Sequence, residues 1–432
     1  MQVAHDETPA SLFEEALYRK VAWRLIPLLL LCYVVAYLDR VNVGFAKLQM
    51  MDQLGFSDTI YGLGAGMFFI GYFLFEVPSN IILHRVGARV WIGRIMISWG
   101  LISAAMMFVT TPMMFYVMRF LLGIAEAGFF PGIILYLTYW YPADRRGRIT
   151  AMFMTGIAIA GVIGGPLSGY IMKYTDGLYG WQGWQWMFLL EGLPSVALGL
   201  VVIMLLDDRI SEAKWLNDEE RALLIANISK DEAHKEQDSL RRVLTSGRVW
   251  HCAAIYFSYV MGLYGVSFFL PTIIKSMGHT DMLDIGLISM IPYSVSVIVM
   301  LLVAKNADRT GERRWHVAIP GLFGALGLAL SVILAKDGNL AIAALTLGLS
   351  GIMTTLPLFW SLPTAFLAGT GAAAGIALIN SLGNLAGFVS PYAVGWLKDA
   401  TGSTNAGVYL LAAAMVVGVI LTLVVPKQLV NK

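Results

Sequence analysis

Apolar residues in this chain run in long blocks rather than at intervals. Twelve such stretches fall at roughly 21–46, 58–83, 91–110, 113–140, 149–173, 186–206, 249–274, 283–304, 316–335, 339–362, 373–397 and 406–426. About 20 residues at ~1.5 Å rise cross the ~30 Å hydrocarbon layer of a bilayer, so each block predicts a membrane-spanning helix. One long polar segment interrupts the series: Asp207 to Arg248 holds ten acidic and eight basic residues over 42 positions. The pattern predicts an all-α membrane protein with twelve transmembrane helices in two pseudo-symmetric six-helix bundles. The expected divisions are a cytoplasmic tail at 1–20, a first bundle at 21–206, a cytoplasmic linker at 207–248, a second bundle at 249–426 and a short cytoplasmic tail at 427–432.

Composition agrees with the pattern. Apolar residues make up 58% and charged residues 13% of the chain, and the mean hydropathy is +0.70. Soluble domains carry about 25% charged residues, so a soluble fold is excluded. The first block begins near Val21 and is long enough to remain as a span rather than a cleaved leader. Cys32 and Cys252 lie in apolar runs and imply buried thiols without a disulfide. No His/Cys/Asp ligand cluster, phosphate-cradling glycine loop or nucleophile–base pattern occurs, so no enzyme activity, cofactor, metal or nucleic-acid partner is expected.

Charge placement says more than the net charge of +2. With the N-terminus in the cytoplasm, 23 of the 30 basic residues fall on the cytoplasmic side and five lysines on the other. Two remain inside the membrane, Arg40 and Arg119. The chain also repeats itself. Gly55, Ser57 and Asp58 before the second span correspond to Gly278, Thr280 and Asp281 before the eighth. The basic turn Arg85, Gly87, Arg89 recurs 224 residues later as Arg309, Gly311, Arg313. Parallel six-span repeats are one plan of secondary transporters. The two turns, with Asp308, are expected to hold a cytoplasmic gate by charge-assisted hydrogen bonds.

These residues carry a family resemblance. The run from Asp308 to Arg314 resembles the loop signature of the major facilitator superfamily, although His84 stands where the first copy usually has aspartate. Gly161, Gly164, Gly165, Pro166 and Gly169 resemble its fifth-helix motif. The segments at 23–27, 37–45, 119–128, 186–192, 215–221 and 375–384 resemble the anion:cation symporter branch, which includes tartrate, phthalate, hexuronate and galactonate carriers. The likeness extends from about Ala16 to Pro426. It implies a monomeric, proton-coupled carrier of small organic anions in a bacterial inner membrane.

The candidate chemistry centres on Tyr37, Asp39 and Arg40, charges within a greasy helix that insertion disfavours unless they serve a site. Helix rise puts Arg40 and Arg119 each roughly 9 Å from the outer surface, so their planar forks could jointly receive a carboxylate. Glu126 lies two turns beyond Arg119 and nearly on the same face. Asp39 and Glu126 are the expected proton-coupling carboxyls, and the family resemblance implies the same. It also implies sugar-acid contacts at Tyr37, Tyr72 and Asn380. In the second half Trp360, Asn380, Asn384 and Tyr264 are the polar options. Glu76 is expected to brace the basic turns, Glu191 to pair structurally, and His251 to sit at the interface.

The expected function is proton-driven uptake of tartrate or a related hydroxy or sugar acid by alternating access, across the plasma membrane. Aromatic carboxylate symport is the first alternative, since Tyr37, Tyr72 and Trp360 could stack on a ring. Organic-anion exchange is the second, although related exchangers place an arginine on the seventh span and this chain has none there.

Overall fold

The computed structural model describes residues 9–233, 245–367 and 369–430. Parts of the predicted tails and linker, at 1–8, 234–244 and 431–432, lie outside the described residues. The architecture is all-helical, as expected. Eleven stretches are long and apolar enough to cross a membrane as continuous segments. The twelfth, counted eleventh along the chain, is made of two consecutive helices, Gly369–Asn384 and Ala386–Thr401.

Local signals set the ends. Ser57 accepts from the Ile60 N–H at the start of the second span, Asp58–Val86. Thr111 does the same for Met114 ahead of the fourth, and Asp281 and Asp337 cap the eighth and tenth, Met282–Thr310 and Gly338–Phe359. Each side-chain oxygen satisfies N–H groups that the first helical turn leaves without a partner. The first span is longer than its apolar block, running from Pro9–Val41 into Val43–Leu54 through Asn42, which keeps helical dihedrals between the two. The fourth divides into Pro112–Glu126 and Phe129–Thr138, broken where Gly128 takes φ +85°. Glu126 is therefore the last residue before a true helix break. Asn384 and Arg40 also sit beside interruptions.

The two bundles meet along two seams that the internal repeat relates to each other. The second span packs on the eleventh, and the fifth, Ala143–Tyr174, on the eighth. Both contacts depend on glycine. A Cβ on Gly62 would stand 2.2 Å from the Pro391 carbonyl oxygen, and one on Gly286 2.3 Å from that of Gly165. With no hydrophobic driving force between helices in lipid, such close backbone approach supplies the packing.

Both seams are also tied by ions at the end opposite the basic turns. Asp58 meets Lys398 of the second bundle at 3.0 Å and Lys47 of its own bundle at 2.5 Å, and Asp281 meets Lys173 of the first bundle at 2.7 Å. The Asp399 carboxylate additionally accepts from the Asp58 and Thr59 N–H groups (3.1 and 2.7 Å). Tyr61 donates to the Phe268 carbonyl at 2.9 Å on the same side. Nearer the basic turns, Glu76 bonds Asn380 and Ser381 of the other bundle. These latch contacts cluster at the end opposite the basic turns.

The linker is less free than its composition suggests. Its helix Asp218–Ala233 docks on the first bundle through Lys20–Glu220 at 2.8 Å, and Trp215 stacks on Trp140. Burial works against the charged Glu220 carboxyl. The Lys20 ammonium and the Asn217 N–H nevertheless hold it below the ordinary carboxylate range.

Candidate functional site

Between the bundles lies a cavity enclosing about 580 Å³ of empty space, part of it continuous with solvent. The first span contributes Tyr33, Tyr37 and Arg40, spaced so that they share a face. Tyr72 enters from the second span, Tyr256 and Tyr264 from the seventh (Gly247–Ser276), Trp360 from the end of the tenth, and Asn380 and Asn384 from the eleventh. Six of the seven residues expected to contact substrate therefore line one space: Tyr37, Arg40, Tyr72, Trp360, Asn380 and Asn384.

Arg40 organises this cavity. Its Nη2 donates to the Glu126 carboxylate, and its Nη1 donates to the Tyr264 hydroxyl at 2.9 Å. The guanidinium also lies 5.2 Å from the Phe68 ring centre and 5.5 Å from that of Tyr72, a cation–π setting that favours the charged form. Its Nε and the second oxygen of Glu126 have no partner. Tyr264 is 224 residues after Arg40, the same interval that separates the basic turns, so equivalent positions of the two repeats touch.

Arg119 is placed differently from its predicted partner. It is fully buried, donates to the Ala65 carbonyl at 3.4 Å, and leaves Nε and Nη1 without partners. It does not line the cavity. Its guanidinium lies 5.2 Å from the Phe68 ring, which both arginines thus approach. Asp39 faces away from Arg40 into the first bundle. It accepts from Trp99 Nε1 and Ser103 Oγ, each at 3.0 Å, and from Ser195 Oγ at 2.6 Å. The two proton candidates consequently occupy separate environments, Glu126 beside the cavity and Asp39 behind it. Adjacent helical residues point about 100° apart, so one chain position decides which side each charge takes.

Other residues depart from the sequence expectation. Glu76 does not brace the basic turns. It accepts from Asn380 Nδ2 at 3.2 Å and Ser381 Oγ at 2.9 Å on the opposite bundle, because its face of the second span looks inward. Of the gate residues, Arg313 pairs with Asp308 at 2.8 Å within its own turn, and the Arg89 N–H donates to Asp208 at 2.7 Å. Neither contact crosses between bundles. His251 meets the Leu421 carbonyl at 2.9 Å.

Tyr33, Tyr256 and Phe68 were not singled out by sequence. Tyr33 carried a signal, lying one turn before Tyr37 on the face of Arg40. Phe68 carried none, because a phenylalanine in an apolar span is indistinguishable from its lipid-facing neighbours.

Comparison with known proteins places this geometry in context. A family model described as Major Facilitator Superfamily matches residues 29–391. A Pseudomonas putida protein named for metabolite transport (NicT) is 46% identical over 97% of this chain and 96% of its own. An Agrobacterium vitis protein named for tartrate transport is 49% identical over 96% of this chain and 95% of its own. Among solved structures, a partially occluded, inward-open form of the Escherichia coli xylose transporter XylE superposes with a TM-score of 0.75. It is 14% identical, over 94% of this chain and 98% of that one, and so bears on the fold alone.

Proposed function

The chain belongs to the major facilitator superfamily, and from that premise we propose that it is a proton-coupled symporter of small organic anions, with hydroxy dicarboxylates such as tartrate as its substrates. One observation carries the proposal. Arg40 sits in an inter-bundle cavity with its charge satisfied by Glu126, a carboxyl that a proton can neutralise. A substrate carboxylate and a proton replace that pairing together. The proton goes to Glu126, and the carboxylate takes the Arg40 fork as a bidentate partner. Neither event is favourable alone, since protonation strands Arg40 and an anion entering beside ionised Glu126 is repelled. That mutual dependence is what symport requires.

Arg119, which makes no ion pair among the described residues and feels Glu126 only at longer range, suits a second carboxylate once Phe68 shifts. The amides of Asn380 and Asn384 offer donors and acceptors for hydroxyls. The latches at Asp58 and Asp281 support alternating access, with this state closed on the latch side. The basic turns mark the cytoplasmic face by the distribution of lysine and arginine, so the latched end faces outward, across a bacterial inner membrane. A monomer contains the whole proposed pathway, and the bilayer and the transported anion and proton are its partners.

Acid-driven uptake of labelled tartrate into proteoliposomes tests the proposal. Glu126→Gln is expected to lose accumulation against a gradient while retaining counterflow. Undiminished driven uptake by this variant overturns the role of Glu126. A second substrate class is favoured by the five tyrosines and Trp360 around the cavity, which suit an aromatic carboxylate through ring stacking. A thermal-shift comparison of tartrate with phthalate and hydroxyphenylacetate separates the two, because the bound ligand stabilises the folded state.

A further inference from the structure

A second cavity, about 370 Å³ of empty space, lies between the first, fifth, seventh and eighth spans on the latch side of Arg40. Its lining includes Asn42, Ser168, Ser267, Ser289 and Tyr293. Asn42 is 1% exposed, yet neither its oxygen nor its nitrogen has a hydrogen-bond partner. Behind it stands Glu191 on the sixth span, Gly183–Leu205, 3% exposed. One Glu191 oxygen accepts from Ser168 Oγ at 2.7 Å, and the other has no partner. Asn42 lies against this carboxyl without completing a hydrogen bond.

The arrangement does not resemble a structural pairing. A buried carboxylate that only holds helices together needs a base or a full set of donors, because an unsatisfied charged group there is costly. Among the described residues no base pairs with Glu191, and the charged group acting on it is another carboxyl, Asp39. Trp99 and Ser103 of the third span hold Asp39, while Ser267 of the seventh and Tyr293 of the eighth bond each other across the cavity. Glu191 is also one turn before Ser195, which donates to Asp39. Asn42 and Asp39 are three apart on the first span. The two carboxyls thus share one helix interface, each with its own polar companion. Asn42 suits either protonation state of Glu191. Its amide NH₂ donates to a carboxylate, and its carbonyl accepts from a carboxylic acid.

We propose that Glu191 is a second proton-carrying carboxyl, receiving a proton from the outer cavity past Asn42 and acting with Asp39 as a coupled pair. The step is a proton transfer alone: the proton bound at Glu191 Oε2 comes from water in the cavity and returns to water as the cycle turns. Because the two sites interact, protonation of one is felt at the other. The transport role rests on the symport reading above, whereas the site itself does not.

Infrared difference spectroscopy on the full-length purified protein tests the site through a pH titration without substrate. Wild type is expected to show a protonated-carboxyl band that is lost in Glu191→Gln and displaced in Asn42→Leu, a variant that keeps the carboxyl. Superimposable titrations for all three proteins overturn the site. In proteoliposomes, Glu191→Gln is expected to lose acid-driven uptake of labelled tartrate and the accompanying proton flux, with counterflow retained. Undiminished driven uptake overturns the coupling role. Should Glu191→Gln fail to fold, the band displacement in Asn42→Leu decides the site. Should wild type show no acid-driven uptake, the symport reading fails, and the infrared titration alone decides whether Glu191 binds a proton.

Discussion

The latch at the end opposite the basic turns makes a sharp prediction, because its two obvious disruptions are not equivalent. Lys47 is 4% exposed at its side chain and is held by Asp58 at 2.5 Å, with Thr272 Oγ1 at 3.2 Å its other polar contact. Asp58→Asn therefore strands a desolvated ammonium. Removing one partner of a fully buried pair costs roughly 3–5 kcal/mol. The Asp58 and Lys398 side chains are 16% and 25% exposed, so about 2 kcal/mol is the appropriate scale here. Lys47→Met removes the stranded charge, lets the stem stay packed on Tyr61 and Phe269, and leaves Asp58 with Lys398. Its cost is below about 1 kcal/mol.

These costs fall on the state closed at that end, since opening parts Asp58 from Lys398 and Lys47 from Thr272 on the other bundle and admits water to the Lys47 ammonium. Asp58→Asn should then shift the equilibrium toward the state open at the latched end by about 30-fold, and Lys47→Met by less than about fivefold. A cysteine at Ser289, which is buried on the outer cavity and whose hydroxyl bonds its own helix at Ile285, reports this opening. The native Cys32 and Cys252 are buried and leave a low background. Maleimide labelling of Ser289→Cys in detergent should accelerate strongly with Asp58→Asn and little with Lys47→Met. Equal acceleration by both, or a larger effect of Lys47→Met, would refute the charge-stranding argument.

Three further outcomes follow from the same contacts. Gly62→Ala places a Cβ 2.2 Å from the Pro391 carbonyl in the closed seam, so it should also raise Ser289→Cys labelling. Gly55→Ala, at a positive-φ turn with nothing within 4 Å of an added Cβ, should leave the seam unaffected. Tyr264→Phe removes the hydroxyl that links Arg40 to the second bundle. A lost hydrogen bond to a charged group should lower stability by about 1.5–3 kcal/mol, read from denaturant midpoints in detergent. Lys173–Asp281 and Lys20–Glu220 hold their carboxyls below the ordinary range. For Asp281 the Lys173 hydrogen bond is the largest cause. A depressed carboxyl contributes stability above its unfolded pKa, about 4, and loses it as pH falls through the folded value. Both contacts should therefore persist at mildly acidic pH, with tryptic cleavage at Lys214 unchanged between neutral and mildly acidic buffer. Lys20→Met should speed that cleavage only a few-fold, because the Lys20 side chain is 44% exposed.

Much of this protein is legible in its sequence. Bilayer thickness converts long apolar blocks into spans with little ambiguity, and the basic residues then isolate Arg40 and Arg119 as the two that no loop accounts for. Charge is expensive in hydrocarbon, so any buried charge advertises itself against that background. The same economy explains why Tyr37, Tyr72, Trp360, Asn380 and Asn384 could be proposed for one cavity and were found lining it. Their polar or aromatic character was already anomalous or faced a charged neighbour.

Partnership was decided only by the tertiary structure. Arg40 and Glu126 lie on different spans, and nothing local to either residue shows that the helix break at Gly128 brings the carboxylate to the guanidinium. Asp39 adjoins Arg40 in the chain but turns into the first bundle, where Trp99, Ser103 and Ser195 receive it. Glu76 reaches Asn380 across the interface instead of the basic turns. A sequence fixes how deep a residue lies along its helix, because rise per residue is constant. The direction in which its side chain finds a partner depends on helix rotation and crossing, which are set by glycine contacts hundreds of residues apart, such as Gly62 against Pro391.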